Sequence, residues 1–178
     1  MKLSSSNKNK INEFKRILPD IEVIEGSDLK EVQGTIDEVI IHKSLDAGKD
    51  MVVEDTILIV DGQEVVDIKW NKLYKTENTK KVSWIVSLGY NDGKNIYISR
   101  GIINGVLVEH NGVDGFGFDP YFLPDGSELT LAELEHNGIK DNFSARYLAL
   151  LNLKNKRYII KKDILDIEPW TGSYQNGN

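Results

Sequence analysis

Between Met51 and Val60 the chain reads MVVEDTILIV. Apolar residues on both sides enclose two acids, Glu54 and Asp55. Such a run predicts a buried strand carrying carboxylates in its middle. Successive strand residues face opposite sides, so both acids cannot enter the same core. An unpaired carboxylate out of water costs several kcal/mol. A fold that holds this strand must supply the acids with cations or leave them at the strand's end in water. A metal ion is one such cation, since magnesium uses one or two protein carboxylates with waters and substrate phosphates. Glu38, upstream, is a candidate partner.

The remaining periodicities place that strand in a mixed α/β chain. Met1–Ser6 reads as a short strand. Ile11, Phe14, Ile17 and Leu18 recur at helical spacing and stop at Pro19. Ile21–Ile24 reads as a strand. Thr35 is an N-cap for a helix with Ile36, Val39, Ile40 and Ala47 inward, ending near Gly48. Asp37 and Glu38 lie in its first turn, where the helix dipole favours acids. Asn78–Leu88 shows helical spacing, and Val65–Tyr74 has no clear period. Asn95–Arg100 and Ile102–Glu109 read as two strands joined at Gly101 or Gly105. Thr130–His136 and Asn142–Leu153 read as helices, and Arg157–Ile167 as a last extended segment. Residues 171–178, TGSYQNGN, form a polar tail expected to fray.

Composition excludes several chemistries. The 178 residues include no Cys, which removes disulfides, thiolate metal sites and a thiol nucleophile. His42, His110 and His136 fit no ligand spacing. Lys and Arg number 22 against 28 Asp and Glu, a net charge of −6 that argues against a nucleic-acid binder. The apolar runs are too short to span a membrane, and MKLSSSNKNK lacks a signal-peptide core, so the expected location is cytoplasmic. The length suits one domain, or two lobes sharing a core.

Three further groups carry chemistry. Residues 1–16 hold five bases against one acid, and Ser5-Ser6-Asn7-Lys8-Asn9-Lys10 lies at a strand-to-helix junction. Backbone N–H groups there can face an anion; taken alone, the segment also reads as a plain N-cap with solvated lysines. Gly115-Phe116-Gly117-Phe118-Asp119-Pro120 offers flat aromatic faces for a nucleobase, and Asp119 can accept from base N–H groups. It also reads as a turn whose Phe rings plug a core. Lys140 and Ser144-Ala145-Arg146 open a helix, either toward a polyphosphate or as a cap with surface charges.

In order and spacing these segments resemble the inosine triphosphate pyrophosphatase family from about Leu3 to Leu153. Ser5-Ser6-Asn7-Lys8-Asn9-Lys10 matches its opening Thr/Ser-Gly-Asn-x-x-Lys. Gln33-Gly34-Thr35-Ile36-Asp37-Glu38 matches its Gln-Gly…Asp-Glu helix start, and Val53-Glu54-Asp55-Thr56 its acidic strand. Ile68-Lys69-Trp70 follows. Phe116-Gly117-Phe118-Asp119-Pro120 is the most specific block, and it continues to Phe122, Pro124-Asp125-Gly126 and Thr130…Ala132-Glu133. Lys140 with Ser144-Ala145-Arg146 matches its Lys…Ser-His-Arg, with Ala for His.

The resemblance implies a single two-lobed domain over residues 1–170. Its long bent mixed sheet is flanked by helices, with the active site in the cleft between lobes. It implies Mg²⁺-dependent hydrolysis of purine (d)NTPs to (d)NMP and pyrophosphate by a homodimer. By position, Ser5, Asn7 and Lys10 would bind polyphosphate. Glu38 and Asp55 would hold the metal, with Asp55 also activating water beside Glu54. Phe116, Phe118 and Asp119 would form the base pocket, closed by Lys140, Ser144 and Arg146. Ala145, the short loop Asp61-Gly62-Gln63-Glu64, and Ser6 for the usual Gly depart from the pattern. Ala145 removes a donor to the base, so the expected base preference differs from inosine and xanthosine. The competing expectations are a catalytically silent purine-nucleotide sensor and an interaction protein.

Overall fold

A computed structural model describes residues 1–26, 28–65, 80–109, 115 and 117–175. In chain order the strands and helices are β1 (Lys2–Ser4), α1 (Lys8–Ile17), β2 (Glu22–Ile24), α2 (Ile36–Ala47), β3 (Met51–Val60) and β4 (Gln63–Val65). There follow β5 (Lys81–Asn91), β6 (Asn95–Leu107), β7 (Phe122–Pro124), α3 (Leu131–His136), α4 (Ala145–Lys154) and β8 (Ile160–Asp163). Short 3₁₀ turns occupy Asp119–Tyr121, Lys140–Phe143 and Ile164–Asp166. The fold is the expected mixed α/β class. Its open sheet runs in the order β2-β1-β3-β5-β6-β7, with β4 added to β3 and β8 to β6. β1 pairs parallel with β2 and β3, whereas β4, β7 and β8 pair antiparallel. Among the described residues no helix is long and apolar enough to cross a membrane.

The chain divides into two compact units, residues 1–55, 87–100 and 149–178 in the first, 56–86 and 101–148 in the second. In the first unit Ile40, Ile41, Val53, Ile96 and Ile98 form a buried cluster, with Leu29, Leu45, Ile160 and Ile167 against it. Helix α2 delivers its share through a complete capping box. Thr35 Oγ1 accepts from Glu38 N–H at 3.2 Å, and Glu38 Oε2 accepts from Thr35 N–H at 2.8 Å. In the second unit Trp84, Phe122, Leu131 and Leu134 are buried, and the Trp84 and Phe122 rings meet edge to face at 6.3 Å.

The structure corrects four sequence expectations. Of the segment read as a helix over Asn78–Leu88, residues 81–88 belong to strand β5. Val82, Trp84, Ile85, Val86 and Leu88 are all buried. A strand covered on both faces reads as a continuous apolar run, and helical spacing then occurs by coincidence. The two strands expected on either side of Gly101 or Gly105 are one, β6. Gly105 is not a joint. A Cβ there would overlap the Leu123 carbonyl oxygen of the paired strand β7. The helix expected from Asn142 begins at Ala145, behind a 3₁₀ turn. The polar tail is bonded as far as Gln175. Tyr174 bridges Val32, and Gln175 N–H donates to the Glu31 carbonyl at 2.8 Å. The short loop after the acidic strand is a two-residue turn. Asp61 and Gly62 both adopt positive φ (48° and 82°) and join β3 to β4. Ile68-Lys69-Trp70 lies outside the described residues.

Candidate functional site

Strands β1 and β3 pair side by side in the first unit, which sets the start of α1 near the acids of β3. Asn7 caps α1, its Oδ1 accepting from Lys10 N–H at 3.1 Å, and Ser5 Oγ accepts from Asn7 N–H at 3.1 Å. Two of the three predicted phosphate ligands, Ser5 and Asn7, therefore order the turn that presents the third, Lys10. The first turn of α1 contains no acid, while Lys8 and Lys10 stand at the positive end of its dipole. That placement is unfavourable for the isolated helix and favourable for an anion-binding one.

Lys10 Nζ lies 3.6 Å from Glu54 Oε1, and the Glu54 side chain is only 3% exposed. Asp55 meets a different lysine, its Oδ1 lying 3.9 Å from Lys43 Nζ. Lys43 also donates to Glu31 Oε1 at 2.8 Å. Each acid of the apolar strand thus has a cation, as its burial demands. A cavity of about 560 Å³ opens over this group, lined by Ser4, Lys10, Lys43, Asp28, Glu31 and Glu54 on apolar walls that include Leu3, Leu29 and Val53. Cations and acids facing one another across an open cavity can exchange partners when a charged ligand arrives.

Glu38 does not join the group through its cap oxygen. Glu38 Oε2 is held by Thr35 N–H in the capping box. Glu31 and Lys43 take part instead, and neither belongs to a motif singled out above. Lys43 had a readable signal. It falls on the stripe Ile36, Ile40, Lys43, Ala47, a lysine on the inward face of α2. Glu31 had none, because it lies in an irregular segment ahead of the helix. Among the described residues no three His, Asp or Glu side chains gather as a metal cluster. A hard divalent ion that keeps waters and phosphate oxygens needs fewer. Two carboxylates sharing the Lys43 ammonium already form a cation-seeking donor set, so the residues fit magnesium.

One α2 histidine stands behind this group. His42 has its pKa lowered by burial, a shift only partly opposed by the Glu38 charge and reinforced by Lys162. Its ring rests 5.3 Å from the Trp170 indole.

The second unit assembles the other predicted residues. Lys140 Nζ donates to Asp119 Oδ2 at 2.6 Å, with 3% and 4% of the side chains exposed. Phe118 packs edge to face on Trp84 at 5.3 Å and on Phe122 at 5.8 Å. Ser144 is buried and its Oγ accepts from Tyr147 N–H at 3.1 Å, which caps α4. Arg146 is buried, and Ala145 is fully buried between them. The Trp84 indole Nε1 is buried and makes no hydrogen bond among the described residues. Phe116 lies outside the described residues. Within this unit the structure brings Phe118 and Asp119 to a buried aromatic and ionic group with Lys140.

The sequence profile of the Ham1 family matches residues 1–66 and 63–156. The inosine triphosphate pyrophosphatase of Scheffersomyces stipitis is 37% identical over 148 residues, covering 72% of this chain and 75% of its own. That of Schizosaccharomyces pombe is 31% identical over 172 residues, covering 85% and 91%. Among solved structures, the Staphylococcus aureus Ham1 protein superposes with a TM-score of 0.64 at 26% identity, covering 88% of this chain and 96% of its own. Its profile match, its relatives and its fold agree, and the chain belongs to the Ham1 family.

Proposed function

We propose that this protein is a magnesium-dependent nucleoside triphosphate pyrophosphatase that cleaves purine (d)NTPs to (d)NMP and pyrophosphate. The names of its relatives support a triphosphate substrate and hydrolysis. The observation that carries the reading is the first-unit cavity, lined by Lys10, Lys43, Glu54 and Glu31, with Asp55 paired to Lys43. Lys10 and Lys43 bind triphosphate oxygens, with Ser5 and Asn7 ordering the turn beneath. As Lys43 turns to the phosphate, its pairings with Glu31 and Asp55 open, and these two acids would hold Mg²⁺. Bound there, the ion lowers the pKa of water and offsets charge on the phosphates. Asp55 takes the proton of the attacking water, with Glu54 holding Lys10 in place. Water oxygen bonds to the α-phosphorus, the bond to the bridging oxygen breaks, and pyrophosphate leaves with the electron pair. Lys10 and Lys43 stabilise that leaving charge.

Phe116, Phe118 and Asp119 take the base, with Lys140, Ser144 and Arg146 around it. Ala145 brings no donor, which costs about 1–3 kcal/mol of discrimination for a 6-oxo group. The base preference is therefore broader than inosine and xanthosine. The working unit in this reading is a cytoplasmic homodimer, which sedimentation of the purified chain and cell fractionation check.

The test is a panel of standard and deaminated NTPs and dNTPs with Mg²⁺, following pyrophosphate and orthophosphate separately. Stoichiometric pyrophosphate is expected, and Asp55→Asn should lose turnover while keeping nucleotide affinity. Orthophosphate as the first product, or binding without any turnover, would reject the reading. Exclusive use of ITP and XTP would reject the role given to Ala145.

A further inference from the structure

Glu31 enters the cavity from a segment that is neither helix nor strand, apart from a bridge at Val32. Its backbone is held from outside. Lys30 N–H donates to Asp46 Oδ2 of α2 at 2.9 Å. Residues 31–33 are bonded along their backbone by the far end of the chain. Gln175 N–H donates to the Glu31 carbonyl at 2.8 Å, Gln175 Nε2 to the Val32 carbonyl at 3.0 Å, and Gln33 N–H to the Ser173 carbonyl at 2.9 Å.

The same C-terminal stretch is folded on itself and pinned to α2. Trp170 Nε1 donates to the Ser173 carbonyl at 2.9 Å. The indole sits where Gly34 and Gly172 leave room. A Cβ on Gly34 would come within 2.9 Å of it, and one on Gly172 within 2.8 Å. Its other neighbour is His42, adjacent in sequence to Lys43. Lys30 Nζ lies 5.7 Å over the Tyr174 ring. The contacts therefore reach both partners of the Glu31–Lys43 ion pair, the acid through its backbone and the lysine through its helix.

We infer that Trp170–Gln175 is a positioning strap that sets Glu31 in the cavity for a divalent cation. The inference rests on Glu31 being one of the metal acids proposed above. A carboxylate on an irregular segment must lose backbone freedom before it can ligate. The strap makes that loss at folding, so it does not weaken binding. Its residues do not themselves line the cavity, so its effect is indirect.

The experiment measures Mn²⁺ binding by electron paramagnetic resonance of the free ion, with no nucleotide present. The proteins are the full chain, chains ending at Gln175 and at Pro169, Gln175→Pro, and Glu31→Gln with and without the Pro169 end. Ending at Gln175 keeps every contact named and should leave affinity unchanged. Ending at Pro169 should weaken Mn²⁺ roughly tenfold, the range for removing an outer support of a ligand. Gln175→Pro, which lacks the N–H and the side-chain amide but keeps Trp170, should weaken it several-fold. In the Glu31→Gln background the truncation should add less than about twofold, because both changes act through one carboxylate. Unchanged affinity on truncation overturns the inference, and so does a full additional loss in the Glu31→Gln background. If the shorter chain does not fold, Gln175→Pro decides by the same criteria. If Glu31→Gln alone leaves affinity unchanged, the metal role of Glu31 fails and takes the strap with it. A full chain that binds Mn²⁺ through Glu31 yet hydrolyses no triphosphate rejects the pyrophosphatase reading and leaves the strap standing.

Discussion

The Lys140–Asp119 pair offers the sharpest energetic test of the second unit. The two charged atoms are 2.6 Å apart and the side chains are 3% and 4% exposed. Two unit charges at 4 Å in bulk water attract by only about 1 kcal/mol. Here water is largely excluded, so each charge helps to offset the desolvation of the other. Lys140→Met leaves the Asp119 carboxylate buried without that ammonium, and removal of one partner of such a pair costs about 3–5 kcal/mol. With a urea slope of about 2 kcal/mol/M, the unfolding midpoint falls by roughly 2 M. The sign of the pH effect is distinctive. In the variant, burial without the Lys140 ammonium disfavours the ionised Asp119 carboxylate in the folded state. The folded state then binds more protons than the unfolded one, so the variant's stability rises as pH falls toward the unfolded carboxylate value. The unsubstituted chain has no such recovery from this pair. Lys140→Met combined with Asp119→Leu should regain more than half of the loss. The assay is urea unfolding by intrinsic fluorescence at several pH values. A single variant within about 1 kcal/mol of the parent, with no recovery at low pH, would refute the premise that the pair is desolvated.

Three other perturbations test separate links. Thr35→Ala should cost about 1 kcal/mol by removing the cap of α2. Glu38→Gln should lower stability while leaving Mn²⁺ affinity intact, and a tenfold loss of affinity would instead return Glu38 to the metal site. Gly105→Ala, which places a Cβ against the Leu123 carbonyl oxygen, should destabilise by about 2 kcal/mol in thermal unfolding. His42, with its pKa lowered chiefly by burial, stays neutral in the folded chain at pH values where it is already protonated in the unfolded one. Its contribution is complete above the unfolded value of 6.5 and is lost as pH falls through the lowered one. The melting temperature of the parent should therefore drop more between pH 7 and 5 than that of His42→Gln.

Local rules in the sequence settled a good part of this protein. Thr35 and Thr130 each begin a helix with a glutamate three residues on, and both form complete capping boxes. Asp61-Gly62 dictates a tight turn because both positions require positive φ. The acids within MVVEDTILIV demanded cations, and Lys10 and Lys43 supply them. Order and spacing of the motifs were enough to place the family.

Tertiary structure alone decided the rest. A strand buried on both faces loses its alternation, so β5 could not be told from a helix by period. Glu31 carries no signal because its position is set by Ser173 and Gln175, whose bonds to residues 31–33 join segments far apart in the chain. Glu38 matches the motif and yet its Oε2 is held by a backbone N–H within hydrogen-bond reach. A sequence fixes which groups carry charge. Which charges meet depends on contacts between residues far apart in the chain, and periodicity does not encode those contacts.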